Sequence, residues 1–188
     1  VIPIVAVLVA LACAAASGRR LWFAANATAF HPDDAIDAVK KGGIDALRAA
    51  AEKEPAADWE RDLLAALAHE DEKARVALVN EQLTELDYRI QKWAKVPRIC
   101  ARIAASFAFL LATLVLRQGL VDGVDILSGD LGELVRHGFI GDALAVAIMG
   151  FAGMAFCITA ASHSKRMAQE RTKAADRLVE MLEKAARS

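Results

Sequence analysis

Apolar and charged positions are segregated into blocks along this chain. The longest uncharged block, Ala143–Ala161 (ALAVAIMGFAGMAFCITAA), runs nineteen residues without a charge or a proline, and its one polar group is the Thr159 hydroxyl. At about 1.5 Å rise per residue such a helix spans roughly 28 Å, close to the ~30 Å hydrocarbon core of a bilayer. A helix of a soluble core keeps one polar face. This block keeps none, which predicts a transmembrane helix. Ala143, Ala147 and Gly150 fall on or near one face of it, and Gly153, Cys157 and Ala161 recur at intervals of four. Stripes of small residues let helices approach closely in lipid, where tight packing holds them together. Ala143, Gly150, Gly153 and Cys157 are therefore the expected helix-packing positions; a lone alanine-rich anchor is the competing reading.

Two further blocks have the same character. Val1–Ala16 (VIPIVAVLVALACAAA) is apolar throughout and is followed by Arg19 and Arg20, which suit the cytoplasmic end of a retained helix. The small residues at its C-terminal end also fit a secretory signal peptide, though no basic segment precedes it. Trp22 and Phe23 follow where interfacial aromatics are expected. The third block, Ile103–Leu116, has fourteen apolar residues between Arg102 and Arg117. Arginines at span ends can reach toward headgroups, which extends the expected span to 99–121.

The intervening stretches are amphipathic. His31-Pro32-Asp33-Asp34 has the form of a helix start, with proline at the first position and acids in the first turn, so a capping role for His31 is favoured over a metal site. Gly42-Gly43 is expected to stop that helix, with a second short one over 44–54. From Asp58 to about Lys95, Val76, Val79, Leu83, Leu86, Ile90 and Trp93 recur at spacings of three and four, which predicts one long amphipathic helix.

Composition agrees with this segregation: 56% of the 188 residues are hydrophobic and 25% charged, with a mean hydropathy of +0.31. A net charge of −1 and the lack of an aromatic-interleaved basic patch give no support for nucleic-acid binding. Cys13, Cys100 and Cys157 are scattered through apolar stretches, which fits small packing residues better than a disulfide framework or a metal site. No nucleophile–base constellation, phosphate-binding glycine loop or metal-ligand spacing points to an enzyme, and no cofactor is expected. The four histidines, His31, His69, His137 and His163, are each isolated in sequence and read as surface residues.

Basic residues crowd after the first span, before the second and after the third, where seven Lys/Arg lie in 162–188. The connection between the second and third spans holds Asp122, Asp125, Asp130 and Glu133 against Arg136. The positive-inside rule then places the N-terminus outside and the long loop and tail in the cytoplasm. The expected fold is an all-α integral membrane protein. It has spans at 1–18, 99–121 and 138–161, a cytoplasmic helical region at 19–98, a short outer connection at 122–137 and a cytoplasmic helical tail at 162–188.

That layout resembles the ExbB/TolQ/MotA inner-membrane proteins, and most closely the ExbB/TolQ branch. Phe109-Leu110-Leu111-Ala112-Thr113-Leu114 is similar to the family's G-L-L-G-T-V signature, with Phe109 and Ala112 in place of two glycines. Ile140-Gly141-Asp142-Ala143-Leu144, followed by Gly150-Phe151-Ala152, is similar to its I-A-x-A-L-x-x-T-x-x-G-L run. In that register the threonine of the family's third helix falls on Ala147, and its later proline near Ala155 or Phe156. The resemblance covers nearly the whole chain in layout and about twenty residues in motif.

The resemblance implies a ring-forming stator or channel subunit of an ion-driven energy-transducing complex in the cell inner membrane. It implies a homo-pentamer around single-span ExbD/TolR-like partners, with the connection at 122–137 in the periplasm. Paired threonines would line the path where the partner's aspartate exchanges a proton. Only Thr113 of that pair is present, and Thr159 lies twelve residues beyond Ala147, roughly 18 Å along the helix. Thr113, Ala147 and Thr159 are thus the pore-lining candidates, with a structural role open for Thr113 because a membrane threonine can bond its own backbone. Asp142 is the acid at the membrane edge, where a helix-end role is favoured over a proton relay. The alternative function is a membrane scaffold without ion conduction that recruits a soluble partner through its loop helices.

Overall fold

The structure, a computed structural model, describes residues 1–121 and 138–186. The expected connection at 122–137, with its acids and Arg136 and His137, lies outside the described residues. Those residues are helical nearly throughout and contain no strand. The helices are α1 (Ile2–Ala25), α2 (Pro32–Lys53), α3 (Asp58–Leu67), α4 (Glu72–Gln91), α5 (Val96–Val121) and α6 (Phe139–Ala186). Three stretches are long and apolar enough to cross a membrane, with mean hydropathies of 2.0, 2.2 and 2.1 in their most apolar windows. They lie in α1, α5 and α6, an arrangement compatible with a multi-pass membrane protein. The chain divides into two compact units, one formed by Val1–Arg20 and Lys95–Ser162, the other by Leu21–Ala94 and His163–Ser188.

The first unit is a bundle of the three apolar helices. Each buries one narrow seam and leaves the rest of its apolar surface outward, as a membrane solvent allows. On α6 the buried positions are Ala143, Val146, Gly150, Gly153, Cys157 and Ala160, alternating by three and four. That is a heptad seam, the period that keeps one stripe of a helix against its neighbours. Ala6, Cys13, Ser17 and Arg20 continue the same period on α1, as do Ala104, Ala108, Leu111 and Val115 on α5. The seam differs from the expected stripe, because Ala147 and Ala161 are only half-buried. Spacing of four alone drifts off the contact line, whereas alternating three and four stays on it.

The second unit is a soluble-type helical core. Ile36 and Val39 of α2, Trp59 and Leu63 of α3, Leu86 and Ile90 of α4, and Leu178 and Leu182 of α6 meet in one cluster. Pro32 opens α2 with Asp33 and Asp34 in its first turn, and Gly43 breaks the helix with φ 70° and ψ −167°. A side chain at that φ is strained, so glycine suits the position. Where the spacing predicts one helix from Asp58 to about Lys95, there are two. Asp71 caps α4 by accepting from the Lys73 backbone N–H at 3.0 Å, which restarts the helix after Ala68–Glu70. Trp59 Nε1 donates to the Gln82 carbonyl at 2.9 Å and ties α3 to α4. Val76 and Trp93, the ends of the expected seam, are exposed. Trp93 takes φ 67° in the turn after α4, an uncommon backbone for a bulky residue.

Candidate functional site

In the membrane unit, the four small residues expected to pack are all buried. A Cβ added to Gly150 would fall 2.0 Å from the Ala108 Cβ and 3.2 Å from the Ala104 carbonyl oxygen. One added to Gly153 would lie 3.2 Å from the Ala10 Cβ. Gly150 therefore sets α6 against α5, and Gly153 sets it against α1. Ala143 joins Ala6, Leu111, Val115 and Val146 in a buried cluster. The residual cavity beside Gly150, lined also by Ala104 and Ala108, is about 10 Å³, at or below what one water requires.

The pore-lining candidates are not brought together. Thr113 and Thr159 both lie on exposed surface, and each hydroxyl donates to its own helix, Thr113 to the Phe109 carbonyl at 2.8 Å and Thr159 to the Ala155 carbonyl at 2.9 Å. Ala147 is half-buried and carries no polar group. Thr113 stands among outward apolar residues, with Phe109 76% exposed. Asp142 is exposed in the first turn of α6, where its backbone N–H donates to the Gly138 carbonyl at 2.9 Å. That is the helix-end position.

Two features of this unit escape a sequence reading. Cys13, Cys100 and Cys157 come from three different helices and share one buried cluster with Ala101 and Ala104. All three thiols are free. The Ser17 hydroxyl donates to Cys157 Sγ at 3.2 Å, and that thiol donates to the Cys13 carbonyl at 3.6 Å. Scattered over 145 residues of chain, they are united only by the three-helix packing. Arg20, expected at the cytoplasmic end of the first span, is 2% exposed, and its Nε and Nη1 have no hydrogen-bond partner. A buried donor without a partner costs about 1–3 kcal/mol in general.

The second unit carries a buried polar network that the amphipathic pattern conceals. Glu60 of α3 is 3% exposed, and its Oε1 accepts from the backbone N–H groups of Ala29 at 2.8 Å and Phe30 at 3.2 Å. This carboxylate fixes the segment between α1 and α2. Arg171 of α6 donates from Nη1 to Thr28 Oγ1 at 2.6 Å, and Thr28 in turn donates to the Phe30 carbonyl at 2.8 Å. Burial pushes the Arg171 guanidinium down from its ordinary pKa, and attraction to Glu60 opposes that fall. His31, expected as a cap, makes no side-chain cap hydrogen bond. Its Nδ1 lies 3.6 Å from Asp33, an ion pair when the imidazole is protonated.

Beside this network a cavity of about 300 Å³ is lined by His31, Asp33, Met167, Glu170, Arg171, Lys173, Ala174 and Arg177. Among the described residues, no group of three or more His, Cys, Asp or Glu is placed to hold a metal ion. Comparison with protein-family models, with curated proteins and with solved structures finds no match to this chain.

Proposed function

We propose that this chain is a wall subunit of an ion-driven, energy-transducing membrane assembly of the ExbB/TolQ kind. It would sit in a cell inner membrane with its N-terminus outside and its C-terminus in the cytoplasm. Copies form a closed ring, a pentamer by the resemblance, around single-span ExbD/TolR-like subunits, and proton flow at the subunit interfaces drives force or rotation. The observation that carries this reading is the tight small-residue contact among the three helices of the membrane unit. Beside Gly150 the small side chains of the three helices leave about 10 Å³ of space, at or below what one water requires, so among the described residues this contact offers an ion no route. An ion path then has to run along outward faces, against another copy or a partner, and Thr113 stands on such a face.

The spans at 1–18, 99–121 and 138–161 hold no acid except Asp142 at the membrane edge. The proton-carrying carboxylate therefore comes from the partner. The test is proton flux into proteoliposomes holding the chain with the product of its neighbouring gene. Flux is expected with wild type and lost in Thr113→Val; flux equal in the two excludes a role for that hydroxyl.

One observation favours a second reading, a scaffold without ion conduction. The hydroxyls of both threonine candidates, Thr113 and Thr159, are already satisfied by their own backbones and Ala147 has none, which leaves those three positions little polarity for an ion. The polar helical unit would then recruit a soluble partner.

A further inference from the structure

The charges around the cavity between α2 and α6 in the second unit are not matched one for one. Of its two acids, Glu170 bonds Arg166 at 2.8 Å, and Asp33 lies 3.6 Å from His31, an ion pair when that imidazole is protonated; against them stand Arg171, Lys173 and Arg177. Arg171 is held by Thr28 and attracted by Glu60. Lys173 and Arg177, one helical turn apart on α6, line the same cavity and have no ion-pair partner among the described residues. Met167 and Ala174 add an apolar wall. A volume of about 300 Å³ lies at the small end of the range for small-molecule pockets, and is too little for a helix or a folded partner.

An excess of cations facing a small, half-enclosed space selects an anion. A guanidinium offers several N–H donors in a planar fork that matches phosphate oxygens, and an ammonium one turn away adds a second point of attraction. We propose that this cavity binds the phosphate group of a small molecule or of a lipid headgroup, engaged by Arg177 and Lys173, with Arg171 held in place behind them. This site is independent of the ion-path reading, because it uses no residue of the membrane unit.

The test uses the full chain in mild detergent at constant ionic strength, in two arms. Calorimetric titration with inorganic phosphate and with glycerol 3-phosphate probes a soluble source, with sodium chloride as the control anion. Native mass spectrometry after addition of phosphatidylglycerol probes a lipid source. Arg177→Gln and Lys173→Gln alter exposed side chains and should leave the far-UV circular dichroism unchanged. Saturable binding of either soluble phosphate, weakened about tenfold or more by each variant, supports the site and a soluble ligand. Retention of phosphatidylglycerol by wild type and its loss in the variants supports the site and a lipid ligand. Absence of both, or binding equal in wild type and variants, overturns it.

Discussion

Gly150 of α6 lies so close to Ala108 of α5 that a Cβ built on the glycine would fall 2.0 Å from the alanine Cβ and 3.1 Å from its Cα. No rotamer change relieves a contact made by a Cβ against another Cβ and a backbone. The two helices touch there through their main chains, and the rest of the membrane unit is arranged around that contact.

Gly150→Ala should therefore push α5 and α6 apart. Overpacking of this kind costs about 1–3 kcal/mol, readable as a lower midpoint in denaturing-detergent unfolding. Gly141→Ala is the matched control, since a Cβ there meets nothing within 4 Å. It should be neutral or slightly stabilising, as alanine is the better helix former.

The three thiols should be unreactive together and reactive together. Each is under a tenth exposed, so a maleimide should label none of them in the folded detergent complex and all three after denaturation. Ser17→Ala, which removes the donor to Cys157, should cost only about 0.6 kcal/mol, the average for interhelical hydrogen bonds within a membrane.

Glu60→Ala leaves the Ala29 and Phe30 N–H groups without their acceptor and takes the carboxylate away from Arg171. A loss of about 2–3 kcal/mol is expected for hydrogen bonds to a charged group. Glu60→Gln keeps an acceptor and should lose less. Chemical denaturation with a probe in the second unit measures both.

On the exposed side of α6, Lys184 bonds the Glu180 carboxylate at 2.7 Å and holds it below the ordinary carboxylate range. The ion pair thus favours the folded helix at neutral pH, and its contribution fades as pH falls through the lowered folded value. An NMR titration of Glu180 should show the depressed midpoint, and Lys184→Gln should return it toward the ordinary one. A midpoint unmoved by that substitution would contradict the pairing.

The spans were legible because an uncharged run of nineteen residues has few other uses. The packing stripe was legible in part: Ala143, Gly150, Gly153 and Cys157 stand out as small residues, but the choice between Ala147 and Val146 depends on the heptad drift, and small size misled it. The break between α3 and α4 was written in Asp71 as a cap, yet apolar residues at helical spacing on both sides masked it. Nothing local could disclose Glu60, because a carboxylate on an amphipathic helix ordinarily faces water. Its burial shows only in the folded unit, where Oε1 accepts from the Ala29 and Phe30 N–H groups. The cysteine cluster and the cationic cavity are products of tertiary packing and have no linear signature.

Ring assembly is the central claim, and native mass spectrometry of the chain purified in mild detergent with its neighbouring gene co-expressed tests it most directly. The proposed function predicts a closed ring, a pentamer, holding a smaller single-span protein. A monomer or simple dimer with no such partner would contradict it and leave a membrane scaffold.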